Sequence, residues 1–264
     1  MLTLRALPAF QDNYIWTLSD AQGRALLVDP GEAAPVLAAA REGLRPIGIL
    51  LTHHHPDHIG GTQELLRHFE VPVYGPDDAR IDFALDRVGD GDTVRIPELD
   101  LEFAVIALPG HTLTHIAFHD DGRATNGGSG HLFCGDTLFS LGCGRMFEGT
   151  PEQMLHSLDR LAALPANTLV CCGHEYTLSN GVFATVVDPD NLALQARMHE
   201  VRGAREAGLP SLPSTLASEL ACNPFLRVDA PAVRTAVEQH ADASWGDRVQ
   251  TFAALRGWKD GFRA

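Results

Sequence analysis

The run at residues 52–61, THHHPDHIGG, constrains this chain more than any other feature. It sets four imidazoles and one carboxylate within six positions, directly after the apolar stretch 47–51 and just before helical periodicity that begins near Ile59. In an extended or looping segment His53 and His55 point the same way, while Asp57 and His58 fall at the turn into the helix and can face a second point. His54, between two same-facing residues, is expected to point away. A fold that accepts this run must therefore place a buried strand end beside a polar cleft able to hold two adjacent cations. The alternative is a solvated His-rich loop, which the abutting apolar strand argues against.

Partners for the run recur downstream. His111 in ALPGHT, Asp136 in FCGDTLF and His174 in VCCGHEY each follow an apolar stretch and adjoin a glycine, Gly110, Gly135 or Gly173. Such glycines let the backbone turn sharply, so each side chain can be delivered from a sheet edge into one cleft. Together the candidates comprise five histidines and two aspartates, an N/O donor set suited to zinc, iron or manganese rather than calcium. Seven donors exceed what one tetrahedral ion takes. Split three and three about a shared carboxylate, they leave each ion short of saturation, which describes a catalytic centre.

The rest of the chain reads as a large β-rich unit followed by a small helical one, a boundary expected at 175/176. Apolar runs bounded by turn residues suggest strands near 13–18, 24–28, 47–51, 71–74, 92–96, 100–107, 115–119, 131–135 and 168–172. Helical periodicity appears near 34–42, 59–69 and 151–163, an alternation typical of layered α/β folds. Beyond residue 176 helices are expected at 190–207, 214–221, 231–240 and 245–258, separated by Pro210, Pro213, Pro224 and Pro231. The Gly/Ser-rich patch 126–130 reads as a loop or hairpin.

Composition serves mainly to exclude. A net charge of −14 disfavours nucleic acid, whose binding needs a basic face. Pro, Gly or charge interrupts every apolar stretch well before the roughly 20 residues a membrane span requires. Gln11, Asp12 and Asn13 break the uninterrupted apolar core an export signal needs. Cys134, Cys143, Cys171, Cys172 and Cys222 are odd in number and contain no Cys-x-x-Cys pair, so reduced thiols and a cytoplasmic location are expected. Cys143 has no base paired with it in sequence, so it reads as structural rather than nucleophilic.

The T-H-x-H-x-D-H run with later His, Asp and His resembles the metallo-β-lactamase superfamily, which implies an αβ/βα sandwich. By that resemblance His53, His55 and His111 would hold one metal, Asp57, His58 and His174 a second, and Asp136 would bridge them, with Asp57 and Asp136 the catalytic carboxylates. Asp29, in LLVDPG, resembles the family's acidic residue beneath the metal loop, where it would orient a ligand or the loop backbone. The alternative for Asp29 is a turn-forming Asp-Pro-Gly.

Within that superfamily, FQDNYIW (10–16), CGDTLFSLGCGRMFEGTPEQM (134–154), CGHEYTLSN (172–180) and LPSTLASELACNPFLR (212–227) resemble glyoxalase II, the hydroxyacylglutathione hydrolases, nearly end to end. The resemblance implies a two-metal hydrolase, with zinc foremost and iron or manganese possible, acting on S-(2-hydroxyacyl)glutathione thioesters such as S-D-lactoylglutathione in methylglyoxal detoxification. Arg145, Tyr176, Arg256 and Lys259 match positions that hold glutathione in that family. Arg256 and Lys259 also read as a solvated helix face, and Tyr176 as an amphipathic core residue. Arg145 stands where the family often has Lys, and Phe147 where it often has Tyr, so a hydroxyl contact is missing. A monomer is expected. The alternative is a mononuclear iron oxidoreductase resembling glutathione persulfide dioxygenase, whose family pattern lacks the helical region bearing Arg256 and Lys259.

Overall fold

The computed structural model describes residues 2–123, 128–244 and 246–263 of the chain. Two six-stranded sheets dominate it. The first runs, edge to edge, β1 (Thr3–Ala9), β2 (Asn13–Ser19), β3 (Arg24–Val28), β4 (Arg45–Leu50), β5 (Val73–Gly75) and β6 (Asp86–Arg87). The second runs β14 (Ser214–Thr215), β13 (Leu169–Cys172), β10 (His131–Gly135), β9 (Ile116–His119), β8 (Leu101–Ala107) and β7 (Thr93–Ile96). A small ribbon pairs β11 (Leu138–Phe139) with β12 (Gly142–Cys143).

The strands are apolar on both faces because both faces are covered. In β3, Leu26 and Val28 join the core shared with the second sheet, while Leu27 points to the opposite side. There it meets Val36 and Ala39 of α1 (Ala33–Arg41) and Leu65 of α3 (Thr62–Leu65). β4 alternates likewise, Leu50 inward and Ile49 outward, as a period of two dictates. On the far side α4 (Pro151–Ala162) buries Met154, Leu155, Leu158 and Leu161. A capping box, Thr150 with Gln153, and Pro151 in its first turn fix where that helix starts. The result is the expected αβ/βα sandwich.

After β13 come α5 (Thr177–Val187), α6 (Leu192–Glu206), α7 (Leu216–Cys222), α8 (Pro231–Ala241) and α9 (Arg248–Gly261). Their apolar residues, among them Phe183, Val233, Val237, Phe252 and Leu255, belong to the same buried cluster as the sandwich, as does Phe225 between α7 and α8. Ser214 and Thr215 pair with Val170 and Leu169, so the C-terminal region also supplies the edge strand of the second sheet.

Some elements differ from expectation. α5 falls where no helix was expected. The helix expected at 59–69 is two short ones, α2 (Pro56–Ile59) and α3, because Gly60 and Gly61 press against backbone: a Cβ on Gly61 would lie 2.4 Å from the Glu32 carbonyl carbon. The loop expected at 126–130 lies partly outside the described residues. Among the described residues no helix is long and apolar enough to cross a membrane.

Candidate metal centre

Every candidate ligand follows a strand end on the same edge of the sandwich. β3 and β4 are parallel, and β10 and β13 are parallel, so Asp29, the 53–58 run, Asp136 and His174 emerge together, with His111 following β8. Close packing explains the adjoining glycines. Gly135 has φ +47°, and a Cβ there would meet Thr52 Oγ1 at 2.3 Å. Gly173 and Gly110 do not take positive φ. A Cβ on Gly173 would lie 2.7 Å from Asp136 Oδ1, so its smallness serves close approach.

Two groups of donors converge. In the first, the Nε2 atoms of His53 and His111 each stand 3.0 Å from Nδ1 of His55. Nitrogens about 2.1 Å from a tetrahedral zinc would stand about 3.4 Å apart, so little movement would seat an ion. In the second, Asp57 Oδ2 lies 3.4 Å from His174 Nε2 and 3.5 Å from His58 Nε2. Each group can hold a metal ion. Asp136 stands between them: Oδ1 is 3.3 Å from His58 Nε2, and Oδ2 is 3.6 Å from His111 Nε2 and 3.4 Å from His174 Nε2.

A cation fits this arrangement on physical grounds. His58 Nε2 and Asp136 Oδ1 are buried, face each other and have no hydrogen-bond partner. Two such groups in native proteins are costly unless something satisfies them. Burial, reinforced by the neighbouring imidazoles His111 and His54, pushes His55 down to about 4, so its ring is neutral at pH 7 and one of its two nitrogens is free to accept. Burial resists charge on His58 and His174, but Asp136 with Asp29 raises the first and Asp136 with Asp57 raises the second, to about 10. Burial likewise resists ionisation of Asp57, yet His174, His58 and Asn13 hold its carboxyl well below the usual range.

The surrounding contacts fix the donors. Asp29, itself at φ +51°, accepts from Thr52 N at 2.8 Å and Thr52 Oγ1 at 2.7 Å, and its Oδ2 lies 3.0 Å from His58 Nδ1. It thereby touches both the loop backbone and a candidate ligand. It also groups with His53 and His58 as possible donors, but its oxygens are already engaged. His54 turns away: its Nδ1 is 3.4 Å from Asp78 and its Nε2 4.0 Å from Glu148. Sequence reasoning assigned no role to Asp12 or Asn13, although FQDNYIW was noticed. Asp12 Oδ1 lies 2.8 Å from His174 Nδ1, and Asn13 Nδ2 donates to Asp57 Oδ2 at 3.0 Å.

A cleft of about 390 Å³ opens on His111 and Asp136, and four cationic side chains line it: Arg145, Arg256, Lys259 and Arg263. Arg145 is exposed and Tyr176 stacks on His174, ring centroids 4.7 Å apart. Lys259 lies 5.4 Å above the Phe183 ring. Arg256 is buried and already engaged, donating to the Cys143 carbonyl at 2.9 Å and to Asp260 Oδ1 at 3.0 Å. Phe147, 64% exposed, sets its ring against His111 and His55.

A two-sheet sandwich with His/Asp groups at its strand ends defines the metallo-β-lactamase superfamily, and residues 14–174 match the family model described as the metallo-beta-lactamase superfamily. The chain belongs to the hydroxyacylglutathione hydrolase family of that superfamily: residues 175–262 match the model described as hydroxyacylglutathione hydrolase C-terminus. It is 57% identical over 265 residues to the hydroxyacylglutathione hydrolase of Xanthomonas campestris pv. campestris (strain B100), covering all of both chains. It is 55% identical to that of Xylella fastidiosa (strain M12), covering 99% of this chain and 98% of the relative. Among solved structures, ETHE1 from Myxococcus xanthus aligns with a TM-score of 0.63 at 23% identity, covering 99% of this chain and 90% of that one, which shows the common fold.

Proposed function

We propose that this enzyme hydrolyses S-(2-hydroxyacyl)glutathione, S-D-lactoylglutathione foremost, to a 2-hydroxy acid and glutathione with two divalent cations in its site. The observation that carries the reading is a juxtaposition. In a chain of net charge −14, four cationic side chains gather in a cleft that opens on His111 and Asp136. Glutathione carries carboxylates remote from its sulfur, and cationic side chains bind carboxylates by charge-assisted hydrogen bonds. Burial first, then Arg256 and Arg145, pushes the Lys259 amine down, as a positive cluster awaiting an anion would.

His53, His55 and His111 would hold one cation and Asp57, His58 and His174 the other, with the Asp136 carboxylate lying between the two groups. Zinc, iron and manganese all suit this donor set, with zinc placed first. Bound there, the cations would supply Lewis acidity near neutral pH and positive charge beside the thioester carbonyl. Asp57 and Asp136 remain ionised and oppose that charge. Lys259 and Arg145 hold the glutathione carboxylates, Arg256 shapes the cleft through Cys143, and Tyr176 packs beside His174. No general acid is needed for the leaving group, because a thiol of pKa about 8.5 departs readily as thiolate. On this reading residues 1–175 carry the chemistry and the Arg145 contact, and 176–264 form the helical glutathione-binding region. The enzyme works as a monomer in the cytoplasm, in keeping with its five buried free cysteines.

The test is to incubate the purified protein with S-D-lactoylglutathione and quantify D-lactate and glutathione. Equimolar release is expected. No release, or oxygen consumption with a glutathione persulfide instead, contradicts the reading.

A further inference from the structure

The imidazoles of the two ligand groups differ in what stands behind them. In the first group, His53 Nδ1 meets the Thr52 hydroxyl at 3.0 Å and His111 Nδ1 meets the Arg145 carbonyl oxygen at 2.8 Å, both neutral partners. In the second, His58 Nδ1 meets the carboxylate of Asp29 and His174 Nδ1 that of Asp12. A carboxylate behind an imidazole fixes which nitrogen faces inward and makes that nitrogen a better donor.

We propose that Asp12 and Asn13 are positioning residues for the second ligand group, and that Asp12 sets how tightly that group holds its cation. This rests on the two-cation reading above. Asp12 backs His174. Asn13, 7% exposed, donates Nδ2 to both Asp57 Oδ2 and the Asp57 carbonyl, 3.3 Å away, and so fixes the most open of the three ligands of that group. Asp57 sits on α2, a helix of four residues, and its side chain is 41% exposed. Without Asn13 it would be free to swing.

The dipeptide is held firmly enough to act this way. The Tyr14 N–H donates to the Gly173 carbonyl at 2.8 Å, and the Glu175 N–H donates to the Asp12 carbonyl at 2.8 Å. The Tyr14 hydroxyl and the Ser211 N–H both donate to Glu175 Oε2. The turn between β1 and β2 is thus stitched to the strand end that carries His174. It links the two sheets at the point where the second group assembles.

The experiment is a competition titration of metal-depleted full-length protein with Zn2+ against a chromophoric chelator. Wild type, Asp12→Asn and Asp12→Ala are compared, with Co2+ absorption spectra as a second readout. Wild type is expected to take up two equivalents. Asp12→Ala should keep the first and bind the second about 10- to 100-fold more weakly. Asp12→Asn, whose amide oxygen can still accept the Nδ1 proton, should fall between, and only the second-equivalent Co2+ bands should move. Two equivalents at wild-type affinity in Asp12→Ala, or equal weakening of both, overturns the inference while leaving the two-cation reading intact. A single equivalent in wild type overturns both.

Discussion

Nδ1 of His58 stands 3.0 Å from Oδ2 of Asp29, and the same carboxylate accepts both the N–H and the hydroxyl of Thr52. One buried acid therefore anchors the start of the His-rich run and aims a donor near its end. Asp29→Ala should strip partners from two buried donors of Thr52, costing about 1–3 kcal/mol for each group left unsatisfied. It should also weaken metal retention about 10- to 100-fold. Thermal unfolding and elemental analysis check the two effects. Retained metal with a lowered melting temperature would restrict Asp29 to the backbone.

Asp136→Ala should lose metal from one or both groups and on the order of 100-fold or more of turnover, with its far-UV spectrum unchanged. The Asp136 oxygens lie 3.3 to 3.6 Å from Nε2 atoms of both groups, whereas those of Asp29, which also nears His53 and His58, are taken up by Thr52 and His58 Nδ1. A variant with two metals and near-normal turnover would remove it from the bridge.

His54→Ala should keep its metal and turn over within a few-fold of wild type, because the ring faces Asp78 and Glu148. Its ring is largely buried, so a stability loss of about 1–2 kcal/mol is expected. Metal loss matching that of His55→Ala would contradict the orientation.

Arg256 and Lys259 should separate. Lys259→Ala should raise KM about tenfold with little change in kcat, and should leave a small thioester lacking the glutathione peptide unaffected, since uniform binding is what it removes. Arg256→Ala should instead lower stability by about 1–3 kcal/mol, because its buried head holds the Cys143 carbonyl. Equal kinetic effects on both substrates from Lys259→Ala would detach it from glutathione.

What the sequence disclosed depended on locality. Donors at strand ends stood out because each followed an apolar run beside a glycine, and α4 because Thr150, Pro151 and Gln153 announce its start. α5 was hidden by its own residues: Thr177, Gly181, Val182, Thr185, Val186 and Val187 are weak helix formers, and the helix exists because Phe183, Ala184 and Val187 are buried. The short strands β6, β11, β12 and β14 carry too few residues for any period to show. Asp12 and Asn13 reach partners 162 and 44 positions away, so only the folded chain reveals them.

The most direct test of the account is a titration of metal-depleted protein with Zn2+ while hydrolysis of S-D-lactoylglutathione is followed. Turnover should climb until two equivalents are bound and then stay level. A plateau at one equivalent, or full turnover with none, would contradict the two-cation site.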